Sequence, residues 1–241
     1  MYCLKLAKEL YKKALYGYKS DSKSYIKFLK KHGVTIGHNV TFYEPNTNYI
    51  DYQKGFLVNI GNNVEITRGV TIITHDYSWA LFKHNTGEII GSRGKVVIGN
   101  NVFIGINTII LKGVSIGNNV IIGANSVITK DVPDNSVVCG NPAKVICTYE
   151  EYYNKRKDIY KEEATMMFCE YYKKYNEIPP KKIFDEFFYM FENEYDNLIN
   201  EYKEKLELTG NYDMSLQALK RKKKDFKNYD EFCEYCINKL K

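Results

Sequence analysis

The chain has 241 residues, 44% of them hydrophobic, six cysteines and a formal net charge of +6. That apolar content suffices for one large or two modest cores. With no secretory leader and no long apolar run, it argues against a disulfide scaffold or a membrane span and predicts a cytoplasmic protein with reduced thiols. Glycine divides the chain, because fifteen of the 16 lie at or before Gly140 and only Gly210 follows. Charge divides it again: residues 1–32 carry nine lysines against Glu9 and Asp21, while the rest is nearly balanced.

In chain order, Leu4, Ala7, Leu10, Tyr11, Ala14 and Tyr18 share one helical face, with Lys5, Lys8, Lys12 and Lys13 largely off it. The spacing predicts an amphipathic helix over residues 2–19. A second helix is expected from Asp21 or Ser22 to just before Gly33, a suitable C-terminal stop. The lysines of this 1–32 segment suit weak association with an anionic membrane surface; the competing reading is a solvated helix face whose apolar side covers an open strand end.

A six-residue period follows. It is clearest from Ile98 to Pro133, where Ile98, Ile104, Ile110, Ile116, Ile122 and Ile128 stand six apart. The fifth place of each hexad holds a small or β-branched residue: Val102, Thr108, Val114, Val120, Ser126, Val132. This internal repeat fits neither a helix nor a simple alternating strand. One large apolar residue every six requires short straight sides with a corner after each. Asn and Gly between the β-branched residues suit those corners, since both accept left-handed backbone angles at low cost. The implied form is a prism of short parallel strands.

The same period starts earlier, at Ile36 and Phe42, but strict register would then put Asn48 and Lys54 in the core. It resumes at Ile60, Ile66 and Ile72. An irregular coil is therefore expected between about 46 and 57, with Asn48, Tyr49, Asp51 and Tyr52 near one rim. Asp76 falls in the fifth place of its hexad, where an unpaired buried carboxylate would cost several kcal/mol. Ile72 and Ile98 are 26 residues apart, not a multiple of six. The chain is thus expected to leave the prism and return through an excursion over about 77–94, and loops of that length in a compact domain are usually functional. His75 stands at its root.

The six unbroken hexads, the I-T-H-D-Y-S motif around His75 and the closing stretch VVCGNPAKVI over 137–146 resemble the hexapeptide-repeat acyltransferases, most closely the bacterial polysaccharide and galactoside-type sugar O-acetyltransferases. The resemblance covers roughly 22–147. It implies a left-handed parallel β-helix, acetyl-CoA as co-substrate, no metal, and a homotrimer with the donor in a groove between prisms. It also implies His75 as general base, a role the chemistry supports: a histidine with a pKa near 6.5 can take the proton of a sugar hydroxyl as the oxygen attacks a thioester. Adjacent strand residues point to opposite faces, so Asp76 is not expected to orient His75; a backbone carbonyl or another coil is.

Candidate acceptor contacts are Asn48, Asp51, Asp76, Trp79 and His84. Positions matching the family's donor groove are Gly105, Ile106, Gly123, Ala124, Thr129, Lys130 and Lys144; simple coil geometry accounts for the small ones equally well. Cys147 stands where family members often carry a second basic residue.

Residues 149–241 lie outside the resemblance and read as a helical domain, with Phe184, Phe187, Phe188, Phe191, Tyr195 and Leu198 on one helical face. Thirteen of the 22 tyrosines are here, but the segment is slightly acidic and has no nucleic-acid motif. Its basic run, Lys220 to Lys224, reads as a solvated face, and Cys233-x-x-Cys236 as packing on a helix rather than a zinc or redox site. The organisation expected is N-terminal helices over 1–32, a mainly β catalytic domain over 33–148, and a helical domain over 149–241. Alternatives are an N-acetyltransferase of a nucleotide-linked amino sugar and, in another class, a non-catalytic trimeric scaffold. A zinc anhydrase on such a prism would need three suitably spaced histidines, which the chain lacks.

Overall fold

The computed structural model describes residues 2–240, with the backbone alone at residues 2–6, 8 and 9. Two compact units are present, Met1–Tyr152 and Tyr153–Lys241.

In the first unit the hexads form the sides of a coil. Thr35–Ile36 (β1), Val40–Phe42 (β2) and Tyr49–Ile50 (β3) make its first turn, and Val58–Ile60 (β4), Val64–Ile66 (β5) and Thr71–Ile72 (β6) its second. Val96–Ile98 (β7), Val102–Ile104 (β8) and Ile109–Ile110 (β9) follow, then Ser115–Ile116 (β10), Val120–Ile122 (β11) and Val127–Ile128 (β12). Successive strands visit three parallel sheets in rotation, in the orders β1-β4-β7-β10, β2-β5-β8-β11 and β3-β6-β9-β12. The register stacks like on like: Ile60 lies beside Ile98, Ile66 beside Ile104, and Ile72 beside Ile110. The repeat isoleucines and the valines two places before or four after them are therefore the core, almost all at or below 2% exposure. Ser136–Gly140 (β13) joins the second sheet beyond β11 and turns back as an antiparallel hairpin with Ala143–Thr148 (β14).

The corners explain the rest of the hexad. Asn39, Asn63, Asn101, Asn119 and Asn135 all have φ between 50 and 56°. Their side-chain amides stack in a ladder, each Nδ2 donating to the next Oδ1 at 2.8–3.0 Å. The preceding glycine is required by proximity: a Cβ on Gly61 would sit 2.4 Å from the Gly99 carbonyl oxygen, and one on Gly99 2.5 Å from that of Gly117.

The irregular coil differs from expectation in one respect. Ile50 takes the core position at 0% exposure, and Asn48 is buried as well. Its amide donates to the Tyr43 carbonyl and accepts from the Val70 N–H, so it substitutes for backbone bonds that the short turn over Pro45–Thr47 cannot make. Tyr49 alone of that group is well exposed, at 41%.

Before the coil run two helices, Tyr2–Tyr16 (α1) and Ser22–Lys31 (α2). Asp21 caps α2 by accepting from the Ser24 N–H at 2.8 Å, and Gly33 follows its end at φ 90°. Tyr25 and Leu29 of α2 are buried in the core of the coil, with Ile26 and Phe28 packed on it. Leu10 and Tyr11 of α1 are 61% and 67% exposed, so α2 supplies the cover; Leu4 lies outside the described side chains.

Trp79–Thr86 (α3) lies between β6 and β7, and Tyr149–Tyr175 (α4) leads into the second unit. Asn200–Glu207 (α5), Tyr212–Arg221 (α6) and Tyr229–Leu240 (α7) complete it. Its core gathers Phe168, Phe184, Phe188, Phe191, Tyr202 and Phe232. The aromatic stretch expected as one helix is instead three separate 3₁₀ turns, Lys181–Phe184, Phe188–Met190 and Tyr195–Asn197. Three-residue turns in series reproduce a spacing of three to four, which is why the pattern reads as helical. Cys233 and Cys236 are buried on α7, and burial raises both thiols, Cys236 to about 12. They are neutral thiols inside a packed face.

No described helix is long and apolar enough to cross a membrane.

The corner geometry predicts that Gly61→Ala destabilises the first unit by about 1–3 kcal/mol through forced backbone displacement. Gly91→Ala, where an added Cβ meets nothing within 4 Å, should leave the urea midpoint unchanged.

Candidate active site

Beyond β6 the chain leaves the coil, in an excursion more ordered than a loop. Its base is a short antiparallel pairing: His75 bridges Arg93, Gly94 N–H donates to the Thr74 carbonyl at 2.9 Å, and Asp76 N–H to that of Ser92 at 3.3 Å. Between them lies Trp79–Thr86 (α3), ended by Gly87 at φ 79°. None of its residues is buried and no side chain caps its start, so it carries no amphipathic signal in the sequence.

Asp51 follows β3, one coil below the root of the excursion. The pairing of Ile50 with Ile72 and the bond from Asp51 N–H to the Ile72 carbonyl at 2.9 Å fix its height. Its side chain is fully buried, which for an unpartnered carboxylate would be costly, but four donors meet it, the Gln53 N–H at Oδ1 (3.3 Å) and three at Oδ2. Thr74 gives its hydroxyl and its N–H to Oδ2, and His75 Nδ1 lies 2.7 Å from the same oxygen. Burial acts to raise the Asp51 pKa, yet the hydrogen bonds from Thr74 and His75 outweigh it and hold the carboxyl below its ordinary value. An ionised Asp51 makes His75 Nδ1 the proton-bearing nitrogen and leaves Nε2 as an acceptor. The His75 side chain is 16% exposed, with the Tyr77 ring edge-on at 5.4 Å and Trp79 beyond Tyr77 at 5.6 Å. Another coil therefore orients the imidazole.

Asp76 serves the loop. Its carboxylate is held far below the usual range by Lys112, 2.8 Å away, and then by the hydroxyls of Ser78 and Ser92. Lys112 also reaches the Ser92 hydroxyl. One charged node thus ties both ends of the excursion to the turn after β9. Asp76 points away from His75 and is committed to this network. Lys112 and Ser92 carry no signal in the hexad pattern that would have singled them out, because the coil positions them only once the excursion has folded.

The remaining candidates fall into groups. Asp51, His75, Asp76 and Trp79 gather at the root of the excursion; His84 is exposed on α3; Asn48 lies in the core with its amide ends on backbone. Gly105 with Ile106 and Gly123 with Ala124 stack on neighbouring coils, where Asn125 N–H donates to the Ile106 carbonyl at 2.7 Å. The two glycines are needed by the coil itself, since a Cβ on Gly105 would meet Ala124 N at 2.6 Å and one on Gly123 the Cys139 Cβ at 2.8 Å. Ile106 and Ala124 are exposed. Thr129 and Lys130 are exposed after β12, which lies two coils above β6 in the sheet whose β6 strand precedes His75, and Lys144 is exposed on β14. Among the described residues no cluster of His, Cys, Asp or Glu is arranged to hold a metal.

The architecture defines a class, the hexapeptide-repeat acyltransferases. Comparison agrees: the family described as bacterial transferase hexapeptide (six repeats) matches residues 95–130. Protein CapG of Staphylococcus aureus is 48% identical over 127 residues, which are 53% of this chain and 73% of that protein. The putative acetyltransferase YvoF of Bacillus subtilis is 38% identical over 100 residues, 42% of this chain and 53% of that one, so the chain spans about half its length. The chain belongs to the bacterial hexapeptide transferase family. Among solved structures, a maltose O-acetyltransferase from Clostridium difficile is 28% identical over 60% of this chain and 88% of its own, with a TM-score of 0.41. The polysialic-acid-specific acetyltransferase NeuO is 32% identical over 48% of this chain and 49% of its own, with a TM-score of 0.35.

The Asp51 pair carries a pH prediction. A carboxyl whose folded pKa is depressed adds stability that is complete above its unfolded value of about 3.9 and is lost as pH falls through the folded value. The urea midpoint of the first unit should therefore fall below about pH 4, and Asp51→Asn should make that fall shallower while lowering the midpoint at pH 7.

Proposed function

We propose that this protein is an acetyl-CoA-dependent O-acetyltransferase acting on a sugar hydroxyl in surface polysaccharide or lipopolysaccharide synthesis, with His75 as general base. The observation that carries the proposal is the buried Asp51–His75 pair at the root of an ordered excursion. Asp51 keeps the proton on Nδ1, so Nε2 accepts the hydroxyl proton as the sugar oxygen attacks the thioester carbonyl. The new C–O bond forms, the C–S bond breaks, and the imidazolium returns its proton to the departing sulfur. No covalent enzyme intermediate is needed. Trp79 and His84 on the excursion are assigned to the acceptor side, and exposed Ile106, Ala124, Thr129, Lys130 and Lys144 to the donor.

This reading takes the coil as left-handed and the enzyme as a cytoplasmic homotrimer, with the donor between neighbouring coils, all from the family resemblance. The basic 1–32 segment gives it weak affinity for an anionic membrane surface. The names of the relatives support acyl transfer; that of NeuO names a glycan, and the maltose enzyme a sugar hydroxyl. A second reading is N-acetylation of a nucleotide-linked amino sugar; its N-transfer, though not a sugar acceptor, has support from a 2,3,4,5-tetrahydropyridine-2,6-dicarboxylate N-acetyltransferase of Staphylococcus carnosus, 48% identical over 68 residues and 28% of that protein.

Calorimetric titration with acetyl-CoA should show one site per subunit. His75→Ala should keep that binding and the oligomeric state while lowering turnover on an accepted sugar by about 10²–10⁴-fold. Base-labile product supports the ester; a base-stable amide would move the assignment to N-transfer. Absence of binding at millimolar acetyl-CoA by a folded protein would sink the proposal.

A further inference from the structure

The second unit contains a cavity of about 820 Å³, within the range of small-molecule sites. Six cations line it: Arg156, Lys157 and Lys161 from α4, and Arg221, Lys222 and Lys223 from the end of α6 and just beyond. The α4 residues recur at 156, 157, 160 and 161 with Tyr160 among them, so one helical face points its basic groups inward. The run Lys220–Lys224 is thus not simply a solvated face, since three of its residues converge with that face on one concavity. Glu186 and Asp225 oppose them in the lining, and Glu163 engages the Arg156 guanidinium through two bonds at 2.6–2.7 Å, so the local balance is +3.

The aromatic side chains of the wall are already engaged. The Tyr160 hydroxyl donates to the Glu186 carbonyl at 2.9 Å and that of Tyr189 to the Ser215 carbonyl at 3.0 Å. Lys222 Nζ stands 4.7 Å from the Tyr160 ring centroid and 5.8 Å from that of Tyr189. The rings act as a platform under an ammonium, and what the cavity offers a ligand is cationic. Burial, and then the charge of Lys157, lower the Lys222 pKa against the opposing pull of Asp225. A partly desolvated ammonium of this kind gains most from an incoming anion.

We propose that this cavity binds the diphosphate group of a small or lipid-linked molecule. Charge sets the size: a single phosphate brings roughly −1.5 to −2, short of the local balance, whereas two linked phosphates come close to matching it. Paired guanidinium and ammonium groups are the usual partners of phosphate oxygens. A long polyanion is a poorer fit. Residues 153–241 contain 18 basic and 18 acidic side chains, so the surface outside the cavity is net acidic and gives an extended strand no track to follow. The proposal is independent of the acyl-transfer reading, because its residues all lie in the other compact unit.

The test is calorimetric titration of the full-length protein with inorganic pyrophosphate and with uridine diphosphate, alongside flotation with phosphatidylcholine vesicles containing farnesyl diphosphate. Saturable binding near one per chain, weakening with salt and at least about tenfold weaker in Lys222→Gln or Lys223→Gln, supports the site. Lys173→Gln, on the exposed Glu170 pair, should bind as the wild type does. Preference for the soluble diphosphates assigns a free ligand, and preference for the vesicles a lipid-linked one. No saturable binding by any of the three at millimolar concentration overturns the proposal. So does binding that both lining variants leave intact, or tighter binding of a single-stranded oligonucleotide than of any diphosphate. Circular dichroism of each variant confirms the fold, and Lys223→Gln, which removes no cation–π contact, covers the case in which Lys222→Gln does not fold.

Discussion

Everything in the first unit depends on how the chain turns its corners. A side of six residues leaves no room for a conventional loop, so one residue must enter the left-handed region and the glycine before it must let two backbones meet. Asn39, Asn63, Asn101, Asn119 and Asn135 meet the first demand, and their amides convert a local strain into a ladder running between coils. Asparagine does this better than glycine because its side chain repays the backbone angle with hydrogen bonds. The isoleucine core follows from the corners, since fixed corners set the register that stacks each isoleucine on the next.

The same register builds the histidine site. Asp51 and His75 are 24 residues apart, yet the coil sets them one above the other and brings Nδ1 to 2.7 Å from the carboxylate. The pair sits at the one place where the coil is locally irregular below and open above. The regular hexads carry mostly glycine, threonine or leucine in the place of Asp51 and asparagine or glycine in the place of His75. Asp76 and Lys112 then hold the excursion over that position, so the imidazole, the ring of Tyr77 and the loop are set by one chain of contacts.

The hexads made the coil legible because each isoleucine is a separate vote for the same period, and α2 was legible because Asp21 and Gly33 mark its ends. Asn48 and α3 were not. Asn48 looks unfit for a core until its two backbone partners are seen, and neither is near it in a hexad template. Helix α3 buries none of its residues and so leaves no periodic trace. The Phe184–Leu198 stretch misleads for the opposite reason, since its spacing is helical while its backbone is a series of tight turns. In the site, His75 could be read from its motif and Asp51 suspected from its place beside the irregular coil. Their contact could not, because it needs the length of that coil.

The asparagine ladder spans separations of 24, 38, 18 and 16 residues without a change in its hydrogen bonding. The coil thus counts turns and ignores the contour of chain between them. The excursion of the 38-residue turn can lengthen, shorten or change sequence while both of its ends return to the same rungs. Such an architecture separates inheritance of the scaffold from variation of what it presents: the part that covers the histidine can diverge freely without the rest of the protein having to fold anew.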